Sequence, residues 1–224
     1  MSDDEKIYKK ILKAIVEHQL PLGSRLPEDK LSEAFGVSRT GIRKVLHRLA
    51  LEHFVVITRN KGAQVNNPSE EEALEVFNSR ILIEPQLMSD VLKYWKKESS
   101  EHFRDIVTHE RLAQEQNDLA SSIQITARFH YELARLAGNS VLAAFVEQLC
   151  YRSSLVIAAF GTLNSVSSVS CDCGDHVELL DILDKGDKEG ARQWMLEHLQ
   201  GIKNSLVLDG QDEQNIDFNR LFSS

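Results

Sequence analysis

Apolar residues recur at helical spacing along most of this chain, so the pattern predicts a mainly helical protein. Three short apolar stripes occupy the N-terminal region, and prolines and glycine break the pattern at residues 20–27, after the first stripe. The residues predicted to face inward are Ile7, Ile11, Leu12 and Ile15, then Leu31, Ala34 and Phe35, then Ile42, Val45, Leu46 and Leu49. The second and third stripes are almost adjacent, which indicates two short helices joined by a tight turn.

This turn and the helix after it have the pattern of a helix-turn-helix. Gly36 can supply the permissive backbone of the turn, and Ser38 is a suitable N-cap for the next helix. Arg39 and Arg43 stand four residues apart and share one face near the start of that helix. A recognition helix presents such positions to base edges in the major groove, where arginine can bind guanine in bidentate fashion. We predict a DNA-reading helix; an ordinary surface helix with two arginines is the alternative.

A predicted β-hairpin follows this helix. Residues 54–58 are apolar and β-branched, residues 63–65 can form a returning strand, and a basic turn lies between them. Such a hairpin is a wing whose tip can reach the DNA backbone or minor groove; a purely structural turn is the alternative. The residues predicted to contact DNA are Ser38, Arg39, Thr40, Arg43, Lys44, Arg59, Asn60, Lys61 and Gly62.

The rest of the chain predicts a separate helical domain. Helical stripes cover residues 70–93, 99–116, 118–137, 140–161, 173–185 and 188–207, which indicates an antiparallel bundle of about six helices. Ser69 and Glu72 have capping-box spacing at its start. We therefore predict a winged-helix domain at residues 1–66, a linker at 66–69, an all-helical domain at 70–209 and a polar tail at 210–224.

The charge distribution supports this division. The formal net charge is −8, but residues 1–67 carry 12 Lys and Arg against 8 Asp and Glu, whereas the remaining residues carry 14 against 26. A basic head on an acidic body confines the attraction for phosphate to one end.

Three further features indicate a cytoplasmic protein without a membrane partner. The chain has no continuous apolar run that would span a membrane and no signal-peptide pattern. Its three cysteines, Cys150, Cys171 and Cys173, are an odd number, which favours a reducing compartment over a disulfide framework. The spacing Cys171-Asp172-Cys173 is not that of a standard zinc ribbon, and we favour a helix-entry loop over a metal or thiol sensor.

The N-terminal region, from about residue 7 to 67, resembles the winged helix of the GntR family of bacterial transcriptional regulators. The resemblance rests on residues 22–26, 36–40, 42–43 and 60–65. It implies that Arg39 and Arg43 contact bases or phosphates and that Gly62 is the wing glycine.

Three positions depart from the family pattern. The family usually has proline at Gly41 and glutamate at Lys44, and it often has a DNA-contacting arginine at Asp29. The change at Asp29 predicts an operator sequence different from that of typical members.

The helical region resembles the FCD effector domain, which defines the FadR subgroup of these regulators. The residues that carry this resemblance are Arg80 and Glu84, Phe129 and His130, Ala137, Gly138 and Asn139, His176, and His198 with Leu199. It implies a homodimer that binds a palindromic double-stranded DNA operator and a small-molecule effector, which we expect to be an organic acid.

His130, His176 and His198 come from three different predicted helices. In the metal-binding branch of the FCD family, the matching positions are metal ligands, which implies one divalent transition metal, with zinc or nickel favoured. The family's fourth ligand is an aspartate where this chain has Thr126, a poor ligand. The metal shell is then completed by water or an effector carboxylate. Two alternatives are a metal-free site that binds an organic anion, and histidines without a shared role.

Two arginines are candidates for binding an effector together with Thr126. Arg80 and Arg152 can clamp a carboxylate if they point inward, because a guanidinium matches its geometry. For Arg80, a buried salt bridge with Glu84 is an equally good interpretation.

Together these features predict a ligand-responsive transcriptional regulator, more specifically a repressor that a small carboxylate releases from DNA. One alternative is a metal-dependent hydrolase or lyase with an all-helical fold, but it leaves the basic winged head unexplained. Another is a constitutive DNA-binding protein whose helical domain only dimerises.

Overall fold

The computed structural model describes residues 3–161 and 173–208, with the side chains of 173–175 left out. Contacts divide the chain into two compact units, with the boundary between Pro68 and Ser69. The predicted mainly helical fold, a winged helix-turn-helix followed by a helical bundle, is confirmed.

The first unit contains three helices and a hairpin: α1 (Asp3–Val16), α2 (Glu28–Phe35), α3 (Arg39–Leu51), β1 (Val55–Thr58) and β2 (Gly62–Val65). Helix α3 packs against α1, α2 and β1. The core of the first unit contains the apolar stripes predicted from the sequence, although Ala34 and Phe35 are only half-buried.

Two residues determine how the helix-turn-helix turns. Gly36 ends α2 in the left-handed conformation, with φ 65°, which favours glycine because it has no Cβ. The hydroxyl of Ser38 then accepts a hydrogen bond of 3.2 Å from the backbone N–H of Gly41 and caps α3.

The wing is an antiparallel pair in which Val55 lies opposite Val65 and Thr58 opposite Gly62. At its tip, the N–H of Lys61 donates to the carbonyl of Thr58 at 3.1 Å, and Asn60 has a positive φ of 65°. The tip therefore carries the basic residues on a tight turn.

The second unit, in its described residues, is a bundle of the helices α4 (Glu70–Tyr94), α5 (Lys97–Glu115), α6 (Leu119–Leu136), α7 (Ser140–Phe160), α8 (Cys173–Asp184) and α9 (Lys188–Asn204). The largest contacts join α4 to α9 and α6 to both α5 and α7, while α8 packs against α5 and α9. Ser69 caps α4 by accepting a hydrogen bond of 3.0 Å from the N–H of Glu72.

Helix α7 corrects one expectation from the sequence. It is 21 residues long, and by length and composition alone it would be able to cross a membrane. Glu147 and Arg152 interrupt a strictly apolar run, which is why the sequence pattern did not reveal it. Core helices of ordinary globular bundles have the same composition, and α7 packs against α4 and α6, so this resemblance to a membrane span is weak.

The polar tail and the Cys171–Asp172 pair lie outside the described residues, as does the side chain of Cys173. Cys150 is fully buried in α7, and burial raises the pKa of its thiol. This thiol is therefore protonated and unreactive at neutral pH.

Candidate functional site

The three predicted histidines come together inside the bundle. His130 is on α6, His176 on α8 and His198 on α9, and one possible ligand atom from each lies within 4.8 Å of the others. Each pair of imidazole rings has its centroids between 5.1 and 5.5 Å apart. His130 and His176 are buried, and His198 is half-buried. This arrangement follows from the packing of α8 and α9, which no spacing along the chain would reveal.

A buried carboxylate orients His130. The Nδ1 atom of His130 lies 2.7 Å from Oε2 of Glu84, while Arg80 donates to Oε1 of Glu84 at 2.5 Å and to Ser153 at 2.9 Å. Burial raises the pKa of Glu84, but Arg80 and His130 together outweigh it and lower the pKa to about 2. An ionised carboxylate can only accept, so Nδ1 of His130 carries the proton. The Nε2 atom of His130 is buried with no hydrogen-bond partner among the described residues.

A second buried carboxylate orients His176. Its Nδ1 atom lies 2.8 Å from Oε2 of Glu110, and the hydroxyl of Thr126 donates to Oε1 of the same carboxylate. Burial raises the pKa of Glu110, but the opposite effect of His176 and Thr126 is larger, so the net shift of this pKa is downwards. This carboxylate therefore also accepts a hydrogen bond from a protonated Nδ1, and Nε2 of His176 points away from Glu110.

Two histidines of this cluster, His130 and His198, are neutral at physiological pH. Burial is the main reason that the pKa of His130 falls to about 4, and the charge of Arg80 lowers it further. Burial also lowers the pKa of His198 well below its usual range, and His176 and His130 act in the same direction. Neutral imidazole is the form that binds a metal ion, so these residues could hold a divalent transition metal.

Aromatic side chains fix the ring planes from outside the cluster. Trp194 stacks on His198 with a centroid distance of 4.6 Å, and Phe129 stacks on His176 at 4.2 Å. The indole N–H of Trp194 donates to Glu178 at 3.1 Å, which holds the tryptophan in place.

The structure places the other predicted effector residues at different depths. Thr126 and Arg80 border the cluster through their bonds to Glu110 and Glu84. The buried Arg80–Glu84 ion pair is the alternative recognised from the sequence. Arg152 lies outside this group: its side chain is 44% exposed and forms an ion pair with Glu72 at 3.7 Å.

Sequence reasoning missed Glu110 as part of the site. It follows Phe103 and Val107 on the apolar stripe of α5, and it is fully buried. An acidic residue on an apolar stripe must have buried partners, so this position was the available signal. The neighbouring His109 is exposed.

The predicted DNA-contacting residues form an exposed surface on the first unit. Arg39, Thr40, Arg43 and Lys44 are exposed near the start of α3, and Arg59 to Gly62 are exposed at the wing tip. Ser38 is also exposed, and its hydroxyl is engaged in the helix cap.

Arg43 has an intramolecular partner that the sequence did not reveal. Its Nη2 and Nε atoms donate to the two carboxylate oxygens of Glu28 on α2 at 2.7 and 3.0 Å. Arg43 lowers the pKa of Glu28, so this carboxylate is ionised at neutral pH.

A winged helix-turn-helix followed by a helical bundle with a buried cluster of possible ligands defines a DNA-binding transcriptional regulator with an effector domain. Residues 4–65 match the bacterial regulatory proteins of the gntR family, and residues 75–201 match the FCD domain. The chain belongs to the GntR family and, because of its FCD domain, to the FadR subgroup. Members of this family are regulators, so the hydrolase alternative is wrong.

Individual relatives agree with this assignment. The fatty acid metabolism regulator protein of Shewanella amazonensis is 32% identical over 127 residues, which cover 54% of this chain and 50% of that protein. The match thus spans about half the length of this curated relative. The HTH-type transcriptional repressor RspR of Escherichia coli K12 is 22% identical over 203 residues, covering 91% of this chain and 88% of that protein.

A solved structure supports the fold. The E. coli protein McbR/YncC has a TM-score of 0.69 at 20% identity, covering 89% of this chain and 94% of that chain.

Proposed function

We propose that this protein is a cytoplasmic repressor that leaves its operator when a small carboxylate binds at a metal held by His130, His176 and His198. The observation that carries the proposal is the cluster of three imidazoles inside the bundle, two of which are oriented by buried carboxylates. Zinc and nickel both accept imidazole ligands, and carboxylates that orient ligating histidines commonly accompany such sites.

The charge of the site favours an anionic effector. Imidazole binds a metal as an uncharged ligand, so three histidines would leave the positive charge of a divalent ion unreduced. Thr126, which donates to Glu110, adds no negative ligand. A bound metal would supply a Lewis acid for an oxygen donor. A carboxylate would complete its shell and neutralise part of its charge in a buried place.

The first unit supports operator binding by Arg39 and Arg43 from α3 and by Lys61 from the wing. A homodimer would present two such surfaces to a palindromic site. For release from DNA, the effector must bind the DNA-free arrangement more tightly than the DNA-bound one. The name of RspR, a repressor, supports repression as the mode.

The DNA part of the proposal is tested with operator fragments selected from random DNA. Arg39→Ala and Arg43→Ala should each weaken specific binding by roughly 5- to 150-fold, measured by fluorescence anisotropy at fixed salt. Lys61→Ala should instead reduce the salt slope by about one, because we assign it a phosphate contact. Wild-type affinity in both arginine variants would refute the recognition helix.

The effector part is tested in the same assay with the protein loaded with Zn²⁺ or Ni²⁺. A panel of small mono-, di- and hydroxycarboxylates is added, and at least one should release the operator from wild type but not from His198→Ala. Release from both proteins would refute the role of the cluster. Release that persists after chelation would favour a metal-free anion site.

A further inference from the structure

Glu110 is the residue of this site whose role neither the sequence pattern nor the family match assigns. It is fully buried on α5, and its two carboxylate oxygens have different partners, Nδ1 of His176 and the hydroxyl of Thr126. Burying a carboxylate costs free energy unless it is hydrogen-bonded, and these two partners provide the hydrogen bonds that Glu110 needs.

The position of the acid explains how the cluster tolerates Thr126. The FCD resemblance places a ligating aspartate at this position, and a threonine there removes one negative charge. The hydroxyl of Thr126 contacts Glu110, which in turn contacts a histidine of the cluster. A carboxylate is therefore still next to the site, one hydrogen bond further out.

We propose that Glu110 is a positioning residue that takes over the charge of the missing aspartate. It holds His176 with the proton on Nδ1, so that Nε2 presents its lone pair to the metal, and its negative charge makes that imidazole a stronger ligand. Thr126 fixes the orientation of the Glu110 carboxylate. This inference rests on the proposed metal centre.

Glu84 provides an internal comparison. It contacts His130 in the same manner, but Arg80 donates to both of its oxygens, so a permanent cation balances its charge. The two oxygens of Glu110 accept hydrogen bonds from an imidazole and a hydroxyl instead. The negative charge of Glu110 therefore acts on the metal site, whereas the charge of Glu84 is largely neutralised by Arg80.

Two variants separate the charge of Glu110 from its hydrogen bond. Glu110→Gln removes the charge but keeps an oxygen that can accept from His176, whereas Glu110→Leu removes both. The affinity for Zn²⁺ is measured by competition with a chromophoric chelator at fixed pH. We expect Glu110→Gln to bind about 10- to 100-fold more weakly than wild type, and Glu110→Leu more weakly still.

Glu132→Gln is the matched control. Glu132 on α6 also contacts a histidine of α5, with Nε2 of His102 at 2.6 Å, but His102 is exposed and outside the cluster. This variant should keep the wild-type affinity for Zn²⁺.

The protonated nitrogen gives a readout that does not need metal. In long-range ¹H–¹⁵N spectra of the metal-free protein, His176 should carry its proton on Nδ1 in wild type and in Glu110→Gln. It should lose this preference in Glu110→Leu. If Glu110 only supported the fold, its substitution would lower the melting temperature without changing the affinity of the folded protein for Zn²⁺.

The outcomes are distinguishable. If wild type binds Zn²⁺ and Glu110→Gln binds it equally well, the inference is overturned and the metal centre stands. If wild type does not bind Zn²⁺ or Ni²⁺, the metal centre itself fails, and the inference fails with it. If circular dichroism shows that a Glu110 variant is unfolded, Thr126→Val replaces it. This variant removes only the supporting hydroxyl and should weaken Zn²⁺ binding several-fold; unchanged affinity would overturn the inference.

Discussion

At the scale of single residues, we expect the ion pair between Arg43 and Glu28 to affect how the proposed recognition helix binds DNA. Both oxygens of Glu28 hold the guanidinium in the free protein, on an exposed surface. In the proposed complex, Arg43 either exchanges this partner for DNA or retains it at the interface. A phosphate carries a negative charge, as the carboxylate does. A guanine is neutral, but its two acceptors match the fork of the guanidinium.

Glu28→Gln should therefore raise the affinity for non-operator DNA more than the affinity for the operator. We expect a change of roughly two- to fivefold, since exposed ion pairs are weak. The ratio of the two affinities is measured by anisotropy at one salt concentration. Glu33→Gln on the same helix removes an equal charge from an exposed position and is the control. An equal change in both variants would show that only net charge matters.

The buried ionisable groups predict how stability depends on pH. The pKa of His130 is about 4 in the folded protein against 6.5 for the ordinary group, and that of Glu84 is about 2 against 4.5. Both are lowered by folding, so the unfolded chain binds more protons in acid. The stability they contribute is present near pH 7 and is lost for His130 between pH 6.5 and 4, then for Glu84 below pH 4.5.

Urea unfolding of the metal-free protein should show this loss. Between pH 7 and 4, the free energy of unfolding should fall more steeply in wild type than in His130→Gln, by about 3 kcal/mol in total for a shift of this size. Parallel curves for the two proteins would contradict the burial of a neutral His130.

At the scale of elements, the apolar period predicted the helices to within a few residues, because each helix buries one continuous stripe. Helix α9 ends at Asn204 rather than near residue 207, and the N–H of Ser205 closes its final turn by bonding to the carbonyls of Gly201 and Ile202. The contact between Glu110 and His176 was not predictable, because it depends on how α5 meets α8, 66 positions apart.

Helix caps were predictable because they are local. Ser69→Ala should lower the free energy of unfolding by about 1 kcal/mol, since the N–H of Glu72 loses its acceptor. Chemical denaturation measures this change, and Ser79→Ala, which removes a side-chain bond inside α4, is the comparison. The affinity for Zn²⁺ should not change in either variant. An effect of Ser79→Ala as large as that of Ser69→Ala would argue against a cap-specific contribution.

At the scale of the whole molecule, the chain joins a basic winged head to an acidic effector domain. Residue patterns and family resemblance were sufficient for this organisation and for the three histidines. The roles of the two carboxylates that orient His130 and His176 were not predicted. Glu84 was recognised only as a possible partner of Arg80. For Glu110, the position on an apolar stripe indicated buried partners but did not identify them. These contacts orient two of the three histidines of the proposed metal centre.

The most direct test of that centre is elemental analysis of the purified, untagged protein before and after chelation and reloading. We predict about one zinc or nickel ion per chain, removed by the chelator, regained on adding the metal and lost in His198→Ala. Wild-type protein that contains no transition metal, and takes up none when zinc or nickel is added, would contradict the account.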